Sequence, residues 1–301
     1  MILELAAGLC LAAAAVGGMM AFTQGVRLTE DIVAIRGAFP LRLERNNVRG
    51  VMGKLDGKVA LVTGSGRNIG RATVLYLARE GAHVIVNARA NQMEAASVVR
   101  DAQALGVRAI SIIADMAKKD QVKAMAAKAL SEFGRVDILI NNAAIRPHMP
   151  FRELTDEDWE HVRNVVLDGA LYLTRALIGP MVENKYGNIL FFVGDGAYSG
   201  RGSGRAHLSA AKMALVGLAR GLASEFAPHN IRVNVVSPGS IDTRRDNPEW
   251  YGNRPPNAEG IPLGRQGKID EIAATCLFLV GDGGGFITGQ TIHVNGGAAY
   301  Y

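Results

Sequence analysis

A glycine-rich segment after residue 62 has the composition of a phosphate-binding turn. It reads Thr63, Gly64, Ser65, Gly66, Arg67, Asn68, Ile69 and Gly70. Glycines let a backbone turn sharply and approach a diphosphate, and the N-terminus of a following helix supplies unpaired N–H groups. The segment lies between an apolar run and a stretch with helical spacing, and this position makes the pattern more specific. A purely structural turn is the alternative interpretation.

The elements that would position this turn are short apolar runs alternating with helical stretches. The runs are residues 59–62, 83–88, 109–114, 136–140, 188–193, 231–236 and 291–294. Apolar strands that alternate with helices are typical of a parallel sheet covered on both faces. The spacing also predicts a helix over residues 68–79. We therefore predict one doubly wound α/β domain, a Rossmann fold of about seven strands, over residues 52–301.

The composition is that of a folded chain with a sizeable core. The 301 residues are 49% hydrophobic and 20% charged, which excludes a disordered or collagen-like protein. The net charge of +5 is scattered, so nucleic-acid binding is not indicated. Two cysteines, Cys10 and Cys276, make neither a disulfide framework nor a cysteine metal site. We predict no bound metal.

The N-terminal extension, residues 1–51, allows three interpretations. Residues 5–22 carry no charge, and about 18 residues is the lower limit for a membrane-spanning helix. No basic segment precedes them, which argues against a secretory signal. The arginines that follow would keep the main domain in the cytoplasm. The extension is therefore a membrane anchor, a loosely attached soluble segment, or a stretch ahead of a true start at Met52.

Beyond residue 52 the chain resembles the short-chain dehydrogenase/reductase family. The turn is similar to the family's T-G-x-x-x-G-x-G, with Asn68 at the middle glycine, and asparagine tolerates unusual backbone angles better than most residues. Further matches follow in family order: Asp115, Asn141-Asn142-Ala143-Ala144, Trp159, Ile231-Arg232-Val233-Asn234, Pro238-Gly239-Ser240-Ile241-Asp242-Thr243, Phe286-Ile287-Thr288-Gly289 and Val294-Asn295-Gly296-Gly297. The nearest resemblance is to bacterial 3-oxoacyl-acyl-carrier-protein reductases.

The resemblance implies a dinucleotide cofactor. The implied cofactor-binding residues are Thr63, Gly64, Ser65, Arg67, Asn68, Ile69, Gly70, Arg89, Asp115, Met116, Asn142, Ala143, Lys212, Pro238, Gly239, Ile241 and Thr243. The second predicted strand ends at Ala88, without the carboxylate that would hold the ribose hydroxyls of NAD. Arg67 and Arg89 instead favour the 2′-phosphate of NADP. We therefore predict NADP, with NAD as the less favoured alternative.

The resemblance also implies four catalytic groups, of which only the lysine is present. Lys212 matches the lysine that contacts the nicotinamide ribose. Leu208 occupies the tyrosine position one helical turn earlier, and Val166 occupies the asparagine position. The serine position falls on Gly194 counting forward from the fifth strand, or on Asp195 counting back from the lysine.

Three other side chains are candidates for the missing proton donor. His207 titrates near neutral pH, although it lies about 100° around the helix from Leu208. Tyr198 follows the fifth strand, where the loop borders the cleft in this fold. Asp195 would act as an acid only where burial raises its pKa. The alternatives are a packed or interface histidine and, for Asp195, a loop cap or an ion pair with arginine.

Charged side chains also follow the predicted strands, where ligands of open α/β sheets bind. They are Arg146, His148, Arg201, Arg205, Arg244, Arg245 and Arg254, with Asp195, Asp242, Asp246, Glu249 and Glu259. An anionic small-molecule substrate is one hypothesis, and a mixed, solvated lid is the other. Trp250 and Tyr251 are candidates for an apolar lid wall.

Two functional hypotheses follow. The first is an NADP-dependent oxidoreductase that moves a hydride between the cofactor and a carbonyl or alcohol carbon at an atypical site. The second is a catalytically silent NADP-binding protein that acts as a sensor or an oligomer partner; the missing catalytic groups beside a retained Lys212 motivate it. The resemblance further implies a homotetramer. We predict a cytoplasmic location, with anchoring through residues 5–22 as the alternative.

Overall fold

The structure is a computed structural model that describes residues 55–200, 203–243 and 258–301. The predicted extension over residues 1–51, with its candidate anchor at residues 5–22, lies outside the described residues. The same holds for several residues of the predicted substrate loops, namely Arg201, Arg244, Arg245, Asp246, Glu249, Trp250, Tyr251 and Arg254.

The described residues contain nine strands. They are β1 (Val59–Val62), β2 (His83–Ala88), β3 (Ala109–Ile113), β4 (Ile138–Asn141), β5 (Gly187–Phe192), β6 (Ile231–Pro238), β7 (Ile241–Asp242), β8 (Gly267–Lys268) and β9 (Thr291–Val294). Seven form one sheet in the order β3-β2-β1-β4-β5-β6-β9, and β7 pairs with β8. All these pairs are parallel. The predicted parallel sheet of seven strands is confirmed.

Helices alternate with these strands. They are α1 (Asn68–Arg79), α2 (Gln92–Gln103), α3 (Lys119–Phe133), α4 (Asp156–Arg163), α5 (Gly169–Glu183), α6 (Asp195–Ser199), α7 (Ala206–Phe226) and α8 (Ile269–Val280). A π-helical turn, Asn164–Asp168, joins α4 to α5, and 3₁₀ turns lie at Phe151–Glu153, Ala227–His229 and Asp282–Gly284. The first helix has the predicted bounds.

The sheet is buried on both faces, as expected for parallel strands between helices. Successive side chains of a strand point to opposite faces. Leu61 therefore lies in a core layer with residues of α3, α5 and α7, whereas Ala60 and Val62 lie in a second layer with residues of α1, α2 and α8. Two apolar layers thus hold the strand ends in register.

The helical run at residues 156–183 is long and apolar enough to cross a membrane by length and composition alone, and no other helix of the described residues meets that test. Within its most apolar window, 44% is buried inside the protein. Leu173, Leu177 and Met181 of α5 belong to the first core layer. The packing is therefore that of a core helix.

The strand order reverses between β1 and β4, because β1 continues to β2 on one side and pairs with β4 on the other. In open α/β sheets, ligands bind at such a switch point, outside the carboxyl ends of the strands. The loops after β1, β4, β5 and β6 all begin at this edge. The fold therefore gathers the predicted site residues at one edge of the sheet.

Candidate functional site

The turn after β1 has the tight geometry that its glycines suggested. Gly64 has φ +61°, and Asn68 also lies in the left-handed region, with φ +50°. A Cβ added at Gly70 would lie 2.6 Å from the carbonyl oxygen of Gly64, and one at Gly64 would lie 3.0 Å from Ala143 Cα. Asparagine thus supplies the conformation that a glycine would otherwise provide.

The N-terminus of α1 faces this turn. Arg67 is its N-cap residue and is exposed, and its side chain makes no capping hydrogen bond. The helix begins at Asn68, and no acidic residue lies in its first turn. Because a helix N-terminus carries unpaired amides and a partial positive charge, this end of α1 suits a phosphate group.

The backbone amides of Gly64 and Ser65, earlier in the turn, already donate hydrogen bonds within the protein. Gly64 N donates to Asn87 Oδ1 at 3.1 Å, and Ser65 N donates to Asn87 O at 2.8 Å. Ser65 Oγ donates to Val62 O and accepts from Asn87 N. The structure therefore places Ser65, a predicted cofactor residue, in a buried position that fixes the shape of the turn.

Asn87 is a site residue that the sequence reasoning missed. Its Nδ2 group lies 3.2 Å from Ile112 O and 3.1 Å from Ala114 O, so it joins the end of β2 to the end of β3. The same side chain holds Gly64 after β1. The available signal was an amide next to Ala88 within an otherwise apolar run.

Asn142 and Thr63 join the loops after β4 and β1. Thr63 Oγ1 accepts hydrogen bonds from the backbone amides of Asn142 and Ala143, each at 3.0 Å. Asn142 Nδ2 donates to Thr63 O at 2.9 Å and to Gly64 O at 3.1 Å. These three predicted residues therefore lie together, and their polar groups position the turn.

The edge beyond β2 carries charges of both signs. Arg67 and Arg89 are exposed there, and Ala88 is buried. The carboxylate of Glu94, in the first turn of α2, lies 3.5 Å from where a Cβ on Gly66 would stand. Glu94 is a second residue that sequence reasoning missed. A carboxylate close to the turn would oppose a phosphate at this edge.

Asp115 and Met116 follow β3. Asp115 Oδ1 accepts from Ala117 N at 2.9 Å, so this oxygen caps the local turn. Met116 is buried, and a Cβ on Gly169 would lie 2.5 Å from its carbonyl oxygen. The start of α5 thus packs directly on this predicted cofactor loop.

The loop after β6 is held against the end of β9. Gly239 N donates to Val294 O at 2.9 Å, and a Cβ on Gly239 would lie 2.6 Å from Asn295 Cα. Pro238 ends β6, and Ile241 pairs with Gly267 in the small second sheet. Two further predicted residues, Ile241 and Thr243, are half-buried.

Lys212 lies on α7 and is buried, with 4% of its surface exposed. Its Nζ donates a hydrogen bond to the carbonyl oxygen of Phe192, at the end of β5, and the two atoms are 2.5 Å apart. Burial, with a smaller contribution from Arg146 in the loop after β4, lowers the pKa of Lys212 to about 7. The amine is thus an acid–base group near neutral pH.

The positions where the family carries other catalytic groups hold different side chains. Leu208 and Val166 are buried and belong to the first core layer. Gly194 has φ +122°, and Asp195 begins α6. The carbonyl oxygen of Asp195 accepts a hydrogen bond from Tyr301 at 3.2 Å. The structure therefore places apolar side chains at the tyrosine and asparagine positions.

His207 is buried on α7, a helix that packs against α4. It is 1% exposed, and neither ring nitrogen has a hydrogen-bond partner among the described residues. Burial lowers the pKa of His207, and Asp158 of α4 acts in the opposite direction. Burial therefore favours the neutral imidazole.

Tyr198 packs on the edge strand β9. Its hydroxyl lies 2.9 Å from Thr291 Oγ1, and its ring meets His293 edge-on, with centroids 4.7 Å apart. Tyr301 completes this aromatic cluster, with ring centroids 5.0 Å from Tyr198 and 4.8 Å from His293. The Tyr198 hydroxyl is thus hydrogen-bonded to Thr291 at the outer edge of the sheet.

Comparison with known proteins agrees with this architecture. Residues 64–299 match the family described as Enoyl-(Acyl carrier protein) reductase. The chain is 37% identical over 251 residues to the (2S)-[(R)-hydroxy(phenyl)methyl]succinyl-CoA dehydrogenase subunit BbsD of Thauera aromatica, covering 82% of this chain and 98% of that protein. It is 34% identical over 244 residues to the 3-oxoacyl-[acyl-carrier-protein] reductase FabG of Thermotoga maritima, covering 81% and 98%.

Two solved structures share the fold. One is a blue fluorescent protein from a metagenomic library in complex with NADPH, with a TM-score of 0.76, 33% identity, and coverage of 82% of this chain and 100% of that chain. The other is a short chain dehydrogenase from Burkholderia cenocepacia in complex with NADP, with a TM-score of 0.73, 32% identity, and coverage of 81% and 99%.

The doubly wound sheet with its glycine-rich first turn defines a nucleotide-binding class of α/β oxidoreductases. Within that class, the chain belongs to the short-chain dehydrogenase/reductase family. The resemblance to 3-oxoacyl-acyl-carrier-protein reductases, predicted from the sequence, is confirmed.

Proposed function

We propose that this chain binds NADP(H) and transfers a hydride between the cofactor and a carbonyl or alcohol carbon of a small-molecule substrate. The observation that carries the proposal is the turn of residues 63–70, where left-handed Asn68 and closely packed Gly70 leave the N-terminus of α1 open to a diphosphate. A side chain at residue 70 would collide with the carbonyl oxygen of Gly64 and with Ser65 Cα, so glycine lets the turn pack closely against α1 in the conformation that suits the cofactor.

NADP fits the charges of this edge better than NAD does. Arg67 and Arg89 are exposed around the end of β2, and a guanidinium group binds a phosphate through paired, charge-assisted hydrogen bonds. Glu94 is the opposing charge. The two similar structures that name a cofactor name NADPH and NADP, which supports the same choice.

When bound, NADP(H) supplies the hydride, and the chain's own residues bind and orient the partners. Under this proposal, the first amides of α1 hold the diphosphate and Arg67 and Arg89 hold the 2′-phosphate. Asp115 and Met116 border the adenosine. Lys212 contacts the nicotinamide ribose, and the loop that begins at Pro238 borders the nicotinamide.

For the substrate, we propose an acyl thioester. The named relatives act on acyl groups carried by an acyl carrier protein or by coenzyme A. Arg146, next to Lys212, is a positive group at the sheet edge that suits an anionic substrate. A panel of 3-oxoacyl-coenzyme A and 3-hydroxyacyl-coenzyme A thioesters is therefore the rational first set.

A catalytically silent NADP-binding partner is the second candidate. Leu208 and Val166 are buried apolar residues at two catalytic positions, and this observation favours the alternative. One similar protein is named as a subunit, which implies assembly with another chain. We also propose the homotetramer and the cytoplasmic location; light scattering and cell fractionation of the full chain test them.

The test begins with binding. NADPH titration, followed by nicotinamide fluorescence, should saturate, and NADH should bind more weakly. The double variant Arg67→Ala, Arg89→Ala should lose about tenfold in NADPH affinity and little in NADH affinity, because each lost charge-assisted bond to the 2′-phosphate weakens binding. Arg100→Ala, an exposed arginine at the other end of α2, is the matched control.

Turnover then separates the two candidates. Oxidation of NADPH by any thioester of the panel supports the oxidoreductase. Binding without turnover across the panel supports the silent partner. Folded protein that binds neither NADPH nor NADH would refute both candidates.

A further inference from the structure

We infer that the Lys212 amine carries the proton to and from the substrate oxygen, in place of the hydroxyl that Leu208 lacks. The inference rests on the proposed function and deepens it. In this chain Lys212 would therefore do more than contact the ribose: it would be the acid–base group of the reaction.

The position of Lys212 on α7 supports this role. It lies one helical turn after Leu208 on the same face of α7, so the amine projects to the edge where a tyrosine hydroxyl would otherwise stand. Nζ reaches the end of β5, at Phe192 O, which is where the ligand crevice of such a sheet opens. With leucine at residue 208, the lysine charge has no phenolate to stabilise.

The groups around the amine also support this role. The amine donates to a neutral backbone carbonyl, and among the described residues Arg146 is the charged group that acts on it. Burial and a neighbouring positive charge both favour the neutral amine. Of the nearby titratable groups, His207 faces Asp158 of α4, and the charge of Asp195, at the start of α6, acts on His293.

The other candidate donors are held elsewhere. The His207 ring is buried without a hydrogen-bond partner among the described residues, and the Tyr198 hydroxyl lies against Thr291 of β9. Lys212 is the candidate that lies both on the catalytic helix and at the end of a central strand.

The proposed step balances. Reduction of a carbonyl to an alcohol takes up one hydride at carbon, supplied by reduced NADP, and one proton at oxygen. The Lys212 ammonium breaks one N–H bond and keeps its electron pair, and the substrate oxygen forms the O–H bond. The neutral amine then takes a proton from water. Oxidation of the alcohol runs the same transfer backwards.

Titration of the amine is the first test, and it needs no turnover. Protein labelled with ¹³C-lysine is followed by NMR across pH, and Lys212→Arg assigns the resonance by its loss. We expect a midpoint near 7, and a higher midpoint in Arg146→Gln, because the like charge is gone. Lys128→Arg, an exposed lysine of α3, is the matched control. A midpoint near the ordinary value of about 10.4 would overturn the inference.

The pH profile of turnover is the second test. A protonated amine is needed for reduction, so reduction should fall as pH rises through the Lys212 midpoint, and oxidation should rise. Arg146→Gln should move both limbs to higher pH. At saturating NADPH, Lys212→Arg should lose about 10²-fold or more in kcat while it still binds NADPH, since guanidinium keeps its proton.

Full turnover in Lys212→Arg overturns the inference and leaves the proposed function standing. NADPH binding with no turnover on any thioester refutes the hydride transfer of the proposed function and the inference with it. Loss of NADPH binding in the unmutated protein would refute the proposed function instead, while the NMR midpoint still reports on the amine.

Discussion

The two halves of the candidate site depart from the family pattern with different consequences. In the nucleotide half, built on β1 to β3, the chain departs from the pattern at Asn68, yet the backbone keeps a left-handed conformation there. In the catalytic half, built on the π-helical turn before α5 and on α6 and α7, Leu208 and Val166 have joined the apolar core. Binding through backbone amides tolerates a change of side chain, whereas proton transfer needs a titratable side chain in the right place. This protein therefore differs from its family in its catalytic side chains more than in the backbone of its nucleotide turn.

The largest effect should come from restoring the missing hydroxyl. Leu208→Tyr places a phenol one turn before Lys212, and general acid catalysis contributes roughly 10²- to 10⁴-fold. We expect turnover of a thioester to rise by about 10²-fold, measured by NADPH oxidation. Leu208→Phe adds the same ring without the hydroxyl and should not raise it. Equal gains in both variants would show that ring packing, not acid catalysis, limits the catalytic half.

Overpacking of the turn at residues 63–70 should have the next effect. Gly70→Val places atoms against Gly64 O, where a Cβ already lies at 2.6 Å, and overpacking typically costs about 1–3 kcal/mol. NADPH affinity should fall at least about tenfold in calorimetry. Gly217→Ala, at an open position on α7, is the control that should leave affinity unchanged. Undiminished binding by a folded Gly70→Val protein would contradict the role given to the nucleotide half.

The smallest effect concerns stability. Asn68→Val puts a β-branched residue at φ +50°, and left-handed backbone costs such residues roughly 1–2 kcal/mol. Asn68→Gly should be near neutral in the free energy of urea unfolding, and Asn68→Val should lose about 1 kcal/mol against it. Equal stabilities would mean that the turn relaxes and that the left-handed conformation of residue 68 does not constrain it.

Sequence patterns predicted the fold well because alternation of apolar runs and helices leaves few topologies. The first helix and the strands β1, β2 and β9 had the predicted bounds. The predicted fourth strand began two residues early, at Val136, because the buried run extends past the paired residues.

Within the site, the sequence predicted the phosphate turn and Lys212, whose spacing is local. It did not predict Asn87, because one side chain of β2 there bonds groups at the ends of β1 and β3, and such convergence exists only in three dimensions. The sequence also could not predict the surroundings of the His207 and Tyr198 side chains, since these depend on which neighbouring element packs against each residue.

The aromatic cluster at β9 couples distant parts of the polypeptide. Tyr301 donates its hydroxyl proton to a backbone oxygen 106 positions earlier, at Asp195, while its ring covers His293. A change at Tyr301 would therefore disturb the start of α6 and the edge strand β9 together.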